Sequence, residues 1–170
     1  MFKFYLKYKI KQLSQKHVRE KRFRTYDEIH NVQLFFNMEQ LVEVVSFVKQ
    51  LENDGKVVMA YSYDNKGNSV VTLPTTFHIW KKENLSFFCI PKELSLNEFK
   101  SFQADTLIDL TTTPSLIMTY LFFCSHADYR VGFRKGFPHL FDLLLEVDDK
   151  QDFSFFSEQL LFYLKRIRKS

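Results

Sequence analysis

From residue 32 to the end of the chain, short apolar runs alternate with segments of helical period. Such alternation leaves few folds open, because each strand must be followed by a helix that crosses back over the sheet. Val32-Gln-Leu-Phe-Phe36 reads as a strand. Asn37 follows with Gln40 three residues on, a capping-box spacing, and the stripe Leu41, Val44, Val45, Val48 and Leu51 then predicts a helix that stops at Gly55. Residues 57–63 read as a second strand, Asp64-Asn-Lys-Gly-Asn68 as a turn, and 70–73 as a hairpin arm. Residues 74–83 read as irregular, and 85–90 as a strand. Ser95 and Glu98 have capping-box spacing for a short helix to about residue 103. Residues 106–110 are the next strand. Thr113 as N-cap and Pro114 in the first turn open a helix to about residue 126, apolar nearly all round and so deeply buried. Strands at 129–133 and 141–147 follow. Asp152 then caps a last helix, with Phe153, Phe156, Leu160, Tyr163, Leu164 and Ile167 on its inner side.

Strands that are apolar on both faces belong in a parallel sheet covered on both sides. The expected fold is α/β: a three-layer, Rossmann-like, mainly parallel sheet with helices on both faces, preceded by a basic N-terminal helix. Right-handed crossovers gather the C-terminal strand ends on one edge, where open α/β sheets bind ligands. The length, 170 residues, suits one domain, read as a basic extension over 1–24 and an α/β domain over 25–170. Twenty Phe against only four Gly and four Pro exclude a disordered chain and a loop-dominated disulfide scaffold.

The net charge of +4 conceals its distribution. Residues 1–24 hold nine basic side chains and one acid, residues 165–170 four basic and none, and the stretch between them 11 basic against 19 acidic. An acidic domain therefore carries two basic ends, which suits an anionic partner or contact between the ends and the body. Residues 2–11 alternate as a strand would, yet Phe2, Leu6, Ile10 and Leu13 also share a helical face, and the absence of Gly and Pro favours a basic amphipathic helix over about 2–22. Lys3, Lys7, Lys11, Lys16, Arg19, Arg22 and Arg24 are its candidate partner-binding residues. Three readings stand: phosphates of RNA, an anionic membrane surface with Phe2, Phe4, Tyr5 and Leu6 as anchors, or packing on the acidic body. Lysines outnumber arginines here, which favours general electrostatics over base reading.

A second candidate lies at the sheet edge. Thr111-Thr-Thr-Pro-Ser115 falls between a strand end and a helix start, where free N–H groups and the hydroxyls of Thr111, Thr112, Thr113 and Ser115 suit a phosphate or carboxylate, or simply cap the helix. Arg134 and Lys135, flanked by Gly132 and Gly136, follow another strand and are either cations for the same anion or a solvated turn. Asp109 is a lone carboxylate near that edge. The 111–115 loop has no glycine, so it is neither a Walker loop nor a dinucleotide fingerprint.

No catalytic residue, metal site or cofactor is implied: His17, His30, His78, His126 and His139 are scattered singly. Cys89 and Cys124 read as buried free thiols of a cytosolic protein. The N-terminus lacks the apolar run of a signal peptide, and no stretch reaches 18 apolar residues. A cytoplasmic chain is expected, free or at the membrane periphery.

Several segments together carry a resemblance. They are Asp105-Thr-Leu-Ile-Asp-Leu110, the helix ending Ser125-His-Ala127, Tyr129-Arg-Val-Gly-Phe133, Asp142-Leu-Leu-Leu145, and Asp152-Phe153 leading into Leu160-Leu-Phe-Tyr-Leu164. Over nearly its whole length the chain resembles a family of small uncharacterised bacterial proteins with a basic N-terminal segment, a resemblance that implies no activity. Residues 105–133 alone resemble a strand–helix–strand unit of the N-terminal domain of heptosyltransferase-type glycosyltransferases. Those enzymes need a second, nucleotide-sugar-binding domain, and their early Gly-Asp motif is replaced here by Asn37-Met-Glu39. The expected function is therefore a non-catalytic binding or accessory module whose basic ends contact RNA, a membrane surface or a protein. The alternative is a binder or enzyme of a nucleotide or sugar phosphate at the C-terminal sheet edge.

Overall fold

Six strands form one sheet in the order β3-β2-β1-β4-β5-β6, and every neighbouring pair is parallel. The strands are β1 Asn31–Phe35, β2 Val57–Tyr63, β3 Phe77–Trp80, β4 Thr106–Asp109, β5 Tyr129–Gly132 and β6 Leu143–Leu144. The helices are α1 Phe2–Lys16, α2 Leu41–Asn53, α3 Glu93–Ser101, α4 Leu116–Cys124 and α5 Phe153–Arg166. The computed structural model describes residues 2–67, 72–133, 138–146 and 152–168. The Rossmann-like fold is thus present, with the strand order of dinucleotide-binding domains.

Period-two alternation divides the core into two layers. Val32, Leu34, Val58, Ala60, Ile108, Tyr129 and Val131 pack with Val44, Val48 and Leu51 of α2 and Leu160 and Leu164 of α5. Phe35, Tyr61, Trp80 and Leu107 point the other way, onto Phe99 of α3 and Met118, Leu121 and Phe122 of α4. The chain moves outward in one direction after β1 and in the other after β4. Right-handed crossovers therefore place α2 and α4 on opposite faces. Helix α1 joins the second layer: Leu6 and Ile10 are buried and Leu13 partly so, beside α4.

Several boundaries differ from the expected ones. Helix α1 stops at Lys16, and 17–25 runs on as a strap over the body, with a 3-10 turn at Tyr26–Glu28. The irregular region at 74–83 contains β3, an edge strand too short and too polar at His78 for a periodic signal. Because β3 is parallel to β2, the turn at Asp64 is no hairpin; the Asp64 carboxylate accepts from the N–H groups of Lys66 and Gly67, and residues 68–71, including the first half of the expected return arm, lie outside the described residues. Helix α3 starts at Glu93, ahead of Ser95, and α4 is capped by Ser115, whose Oγ accepts from the Met118 N–H at 3.1 Å, not by Thr113. Strand β6 is only two residues long, and Val147 lies outside the described residues. Cys89 and Cys124 are free and half-buried.

The run 85–90 forms no strand of the sheet. It folds into a tight hairpin, with an isolated antiparallel bridge between Leu85 and Pro91, Ser86 N–H bonded to the Ile90 carbonyl at 2.7 Å and Cys89 N–H to the Ser86 carbonyl at 2.9 Å. Cys89 adopts φ 58°, a left-handed conformation that costs a non-glycine residue about 1 kcal/mol. Phe87 and Phe88 stand at the tip.

Candidate functional site

The strand order reverses between β1 and β4, and the crevice beyond their C-terminal ends is the ligand position of such sheets. The structure brings Asn37, Gln40, Asp109, Thr111, Thr112 and Thr113 together there. Asn37 bridges the crevice. Its Oδ1 accepts from the N–H groups of Thr112 at 2.8 Å and Thr113 at 3.1 Å, and its Nδ2 donates to the Thr113 carbonyl at 2.8 Å. The Gln40 carboxamide returns to the Asn37 N–H at 2.9 Å, the capping-box bond that the spacing suggests. The Thr111 N–H and hydroxyl both donate to Asp109 Oδ1, at 3.0 and 2.5 Å. The N–H groups of Thr111, Thr112 and Thr113 are thus engaged by two side chains of the protein, Asp109 and Asn37. Arg134 and Lys135 lie outside the described residues.

Asn37 therefore works as a latch between the two halves of the sheet. Asn37→Ala leaves two N–H groups without their acceptor, and an unfolding midpoint lowered by the equivalent of about 1–2 kcal/mol is expected. An unchanged midpoint on urea denaturation would show the latch to be idle.

The second candidate set divides in two. Arg19 and Arg24 are tied into the body. Arg19 Nη2 donates to Asp142 Oδ2 at 2.6 Å and to the Asp128 carbonyl, while Nη1 reaches Asp142 Oδ1 and the Leu140 carbonyl, each at 3.2 Å. The Arg22 N–H donates to Asp142 Oδ1 at 2.8 Å, leaving its side chain exposed. Arg24 forks onto Asp128 at 3.0–3.1 Å. Arg130 lies beneath, fully buried, its guanidinium 4.6 Å from the Phe122 ring centroid. Burial and then the neighbouring Arg19 charge push its pKa down to about 10.

His17 lies edge-on to Phe123 near the same cations. Burial, then Arg130 and Arg19, hold its pKa below the ordinary imidazole value. With the folded value depressed, the folded state resists a proton that the unfolded chain takes up. Stability is therefore lost as pH falls below about 6.5. His17→Gln is expected to flatten the pH dependence of the melting temperature between about pH 7 and 5. Parallel profiles for the two proteins would remove His17 from the strap.

The α1 lysines are different. The helix carries five lysines and no acid. Lys3, Lys7, Lys11 and Lys16 are exposed and, among the described residues, form no ion pair. The spacing of Lys3, Lys7 and Lys11, four residues each, lines them along one flank of the helix. Beside them Phe4 and Tyr8 are exposed on the outer face, and on the far flank Tyr5 meets Phe88 of the 85–91 hairpin at a ring separation of 6.1 Å. Sequence reasoning missed the hairpin because Leu85-Ser-Phe-Phe-Cys-Ile90 has the composition of a core strand; Pro91 directly after it was the available signal.

A cleft of about 550 Å³ lies between α3 and strands β2 and β3, walled by Tyr61, Trp80 and Phe99 with His78, Asn84 and Glu98 at its polar positions. Burial, then Glu98, raises Tyr61 to about 12. Among the described residues the lining holds no Lys or Arg, which does not suit an anion. Among the described residues no group of three His, Cys, Asp or Glu side chains is placed to hold a metal ion, and no helix is long and apolar enough to cross a membrane.

No curated protein and no solved structure matches the chain. The likeness of residues 105–133 to glycosyltransferases thus rests on a core pattern alone. One family does match, across residues 3–167, a span that takes in the basic helix, the strap and the sheet. The chain belongs to the family of unknown function DUF6913.

Proposed function

We propose that this protein is a non-catalytic binding module in which α1, fixed to the domain, presents its lysines to an anionic partner. The supporting observation is the division of charge at the N-terminus. Arg19 and Arg24 are bonded internally, whereas Lys3, Lys7, Lys11 and Lys16 extend from a helix with no acid, anchored by Leu6 and Ile10. A rigid basic face of this kind needs no folding on binding, so little affinity is lost to ordering. In this reading the protein works in the cytoplasm, at RNA or at the membrane periphery. A phosphorylated small molecule at the switch point has weaker support, because the Thr112 and Thr113 amides are engaged by Asn37.

The test measures binding of the full chain to labelled single-stranded RNA and to phosphatidylglycerol vesicles as salt is raised. Four lysine–phosphate contacts on a single strand imply a roughly 50-fold loss of affinity between about 50 and 200 mM salt. The combined change of Lys3, Lys7, Lys11 and Lys16 to Gln is expected to abolish binding without lowering the melting temperature. Absence of binding to either probe at low salt contradicts the proposal.

A further inference from the structure

We infer that the anionic partner of α1 is a lipid bilayer surface, gripped jointly by the α1 lysines and by aromatic side chains of α1 and the 85–91 hairpin; this rests on the reading of α1 as a docking element. Two segments 83 residues apart in sequence meet through Tyr5 and Phe88, with ring centroids 6.1 Å apart. Around that contact the surface is unusually apolar for exposed positions: Phe87 is 77% exposed, Phe4 74%, Tyr8 56% and Phe88 54%. Large exposed aromatics grouped beside exposed lysines mark an interaction site more than scattered ones do.

The chemistry of that surface fits a bilayer better than a nucleic acid. Lysine stems lie along apolar surface while their ammonium groups reach the headgroup layer, and aromatic rings settle at the interface between headgroups and acyl chains. The α1 cations are all lysine, point charges without the planar fork that reads bases. The Tyr5 and Phe88 rings are inclined at 49° and those of Phe87 and Phe88 at 81°, so they do not form the row of parallel platforms on which successive bases stack. The hairpin is itself suited to entering an interface. Its bridge between Leu85 and Pro91 and its two internal backbone bonds satisfy polar groups that would otherwise have to leave water bare.

The experiment is co-sedimentation of the full chain with phosphatidylcholine vesicles, with and without phosphatidylglycerol, beside RNA binding on the same samples. Binding is expected only to the anionic vesicles. Changing Lys3, Lys7 and Lys11 together to Gln is expected to lower partitioning about 100-fold, each lysine near an anionic surface contributing about fivefold. Phe87→Ser with Phe88→Ser is expected to lower it about tenfold at any salt concentration, because that loss is of apolar contact. Phe87→Trp supplies a second readout, a blue shift of indole emission on anionic vesicles, which does not depend on the serine variant folding. Binding to RNA with none to vesicles would overturn the lipid assignment and leave the docking role of α1 standing. Binding to neither would overturn both. Vesicle binding unchanged by the paired serine substitutions, with no blue shift from Phe87→Trp, would remove the hairpin from the contact.

Discussion

Asp142→Ala is expected to destabilise the protein by about 3–5 kcal/mol, the cost of removing one partner from a buried charge network. Asp142 joins three parts of the chain. Its carboxylate, only 2% exposed, accepts from Arg19 Nη2 at 2.6 Å, from the Arg22 N–H at 2.8 Å and from the Arg130 N–H at 2.7 Å. Without it the Arg19 and Arg130 guanidinium groups remain close together with no acid between them, and Arg19 already presses the Arg130 pKa down. For a chain of this size the loss corresponds to a melting temperature lower by about 6–20 °C. The strap over residues 17–25 should also become a site of proteolytic cleavage. Asp142→Asn keeps the shape and one acceptor, and should fall between the two. A fall of under about 2 °C for the alanine variant would show that the strap is held by other contacts.

Gly132→Ala is expected to cost about 3 kcal/mol, at the upper end for overpacking a core. A Cβ at this position would stand 2.7 Å from Cε1 of Phe141 and 2.8 Å from the backbone carbonyl oxygen of Asp109. Neither neighbour recedes easily. Phe141 is buried and packs against Phe122, and the Asp109 carbonyl belongs to the strand paired with β5. Gly132→Ala combined with Phe141→Leu should recover part of the stability but not all, since the carbonyl contact remains; a double-mutant cycle on urea midpoints measures the split. Gly55 and Gly67 are different: their φ angles are +80° and +70° with nothing within 4 Å of an added Cβ, so alanine there costs only the left-handed backbone, about 1 kcal/mol. A Gly132 variant as mild as the Gly55 one would contradict the packing argument.

The sequence carried the alternation of strands and helices because burial on both sides of a parallel sheet leaves a signal in every strand and every helix stripe. Val32, Leu34, Val44, Val48 and Leu51 are all in the core for that reason. The edges were harder to read. Strand β3 pairs on one side only, so His78 and Ile79 are half-buried and its pattern is diluted. The hairpin at 85–91 misled for the opposite reason, its phenylalanines being apolar yet exposed. Gly132 looked like a turn glycine flanking cations, and its crowding by Phe141 and Asp109 exists only once β4, β5 and the following loop are assembled. At the switch point, the residues and the edge were legible, but not that Asn37 would bridge it. That bond spans 75 residues, beyond any local spacing. The charge layout was legible as a sum over segments. Its division into bonded arginines and exposed lysines was not, because acids at 128 and 142 select their partners through the fold.

Covalent labelling of lysine amines, read peptide by peptide on the full chain with and without phosphatidylglycerol vesicles, addresses the role of α1 most directly. Lys3, Lys7 and Lys11 are expected to react readily in the free protein and to be strongly protected on the vesicles. Lys49, exposed on α2 in the opposite layer, and Lys165 on α5 are expected to react equally in both samples. Equal protection of Lys49 and the α1 lysines, or α1 lysines that react alike in both samples while the protein co-sediments, would contradict a docking face on α1.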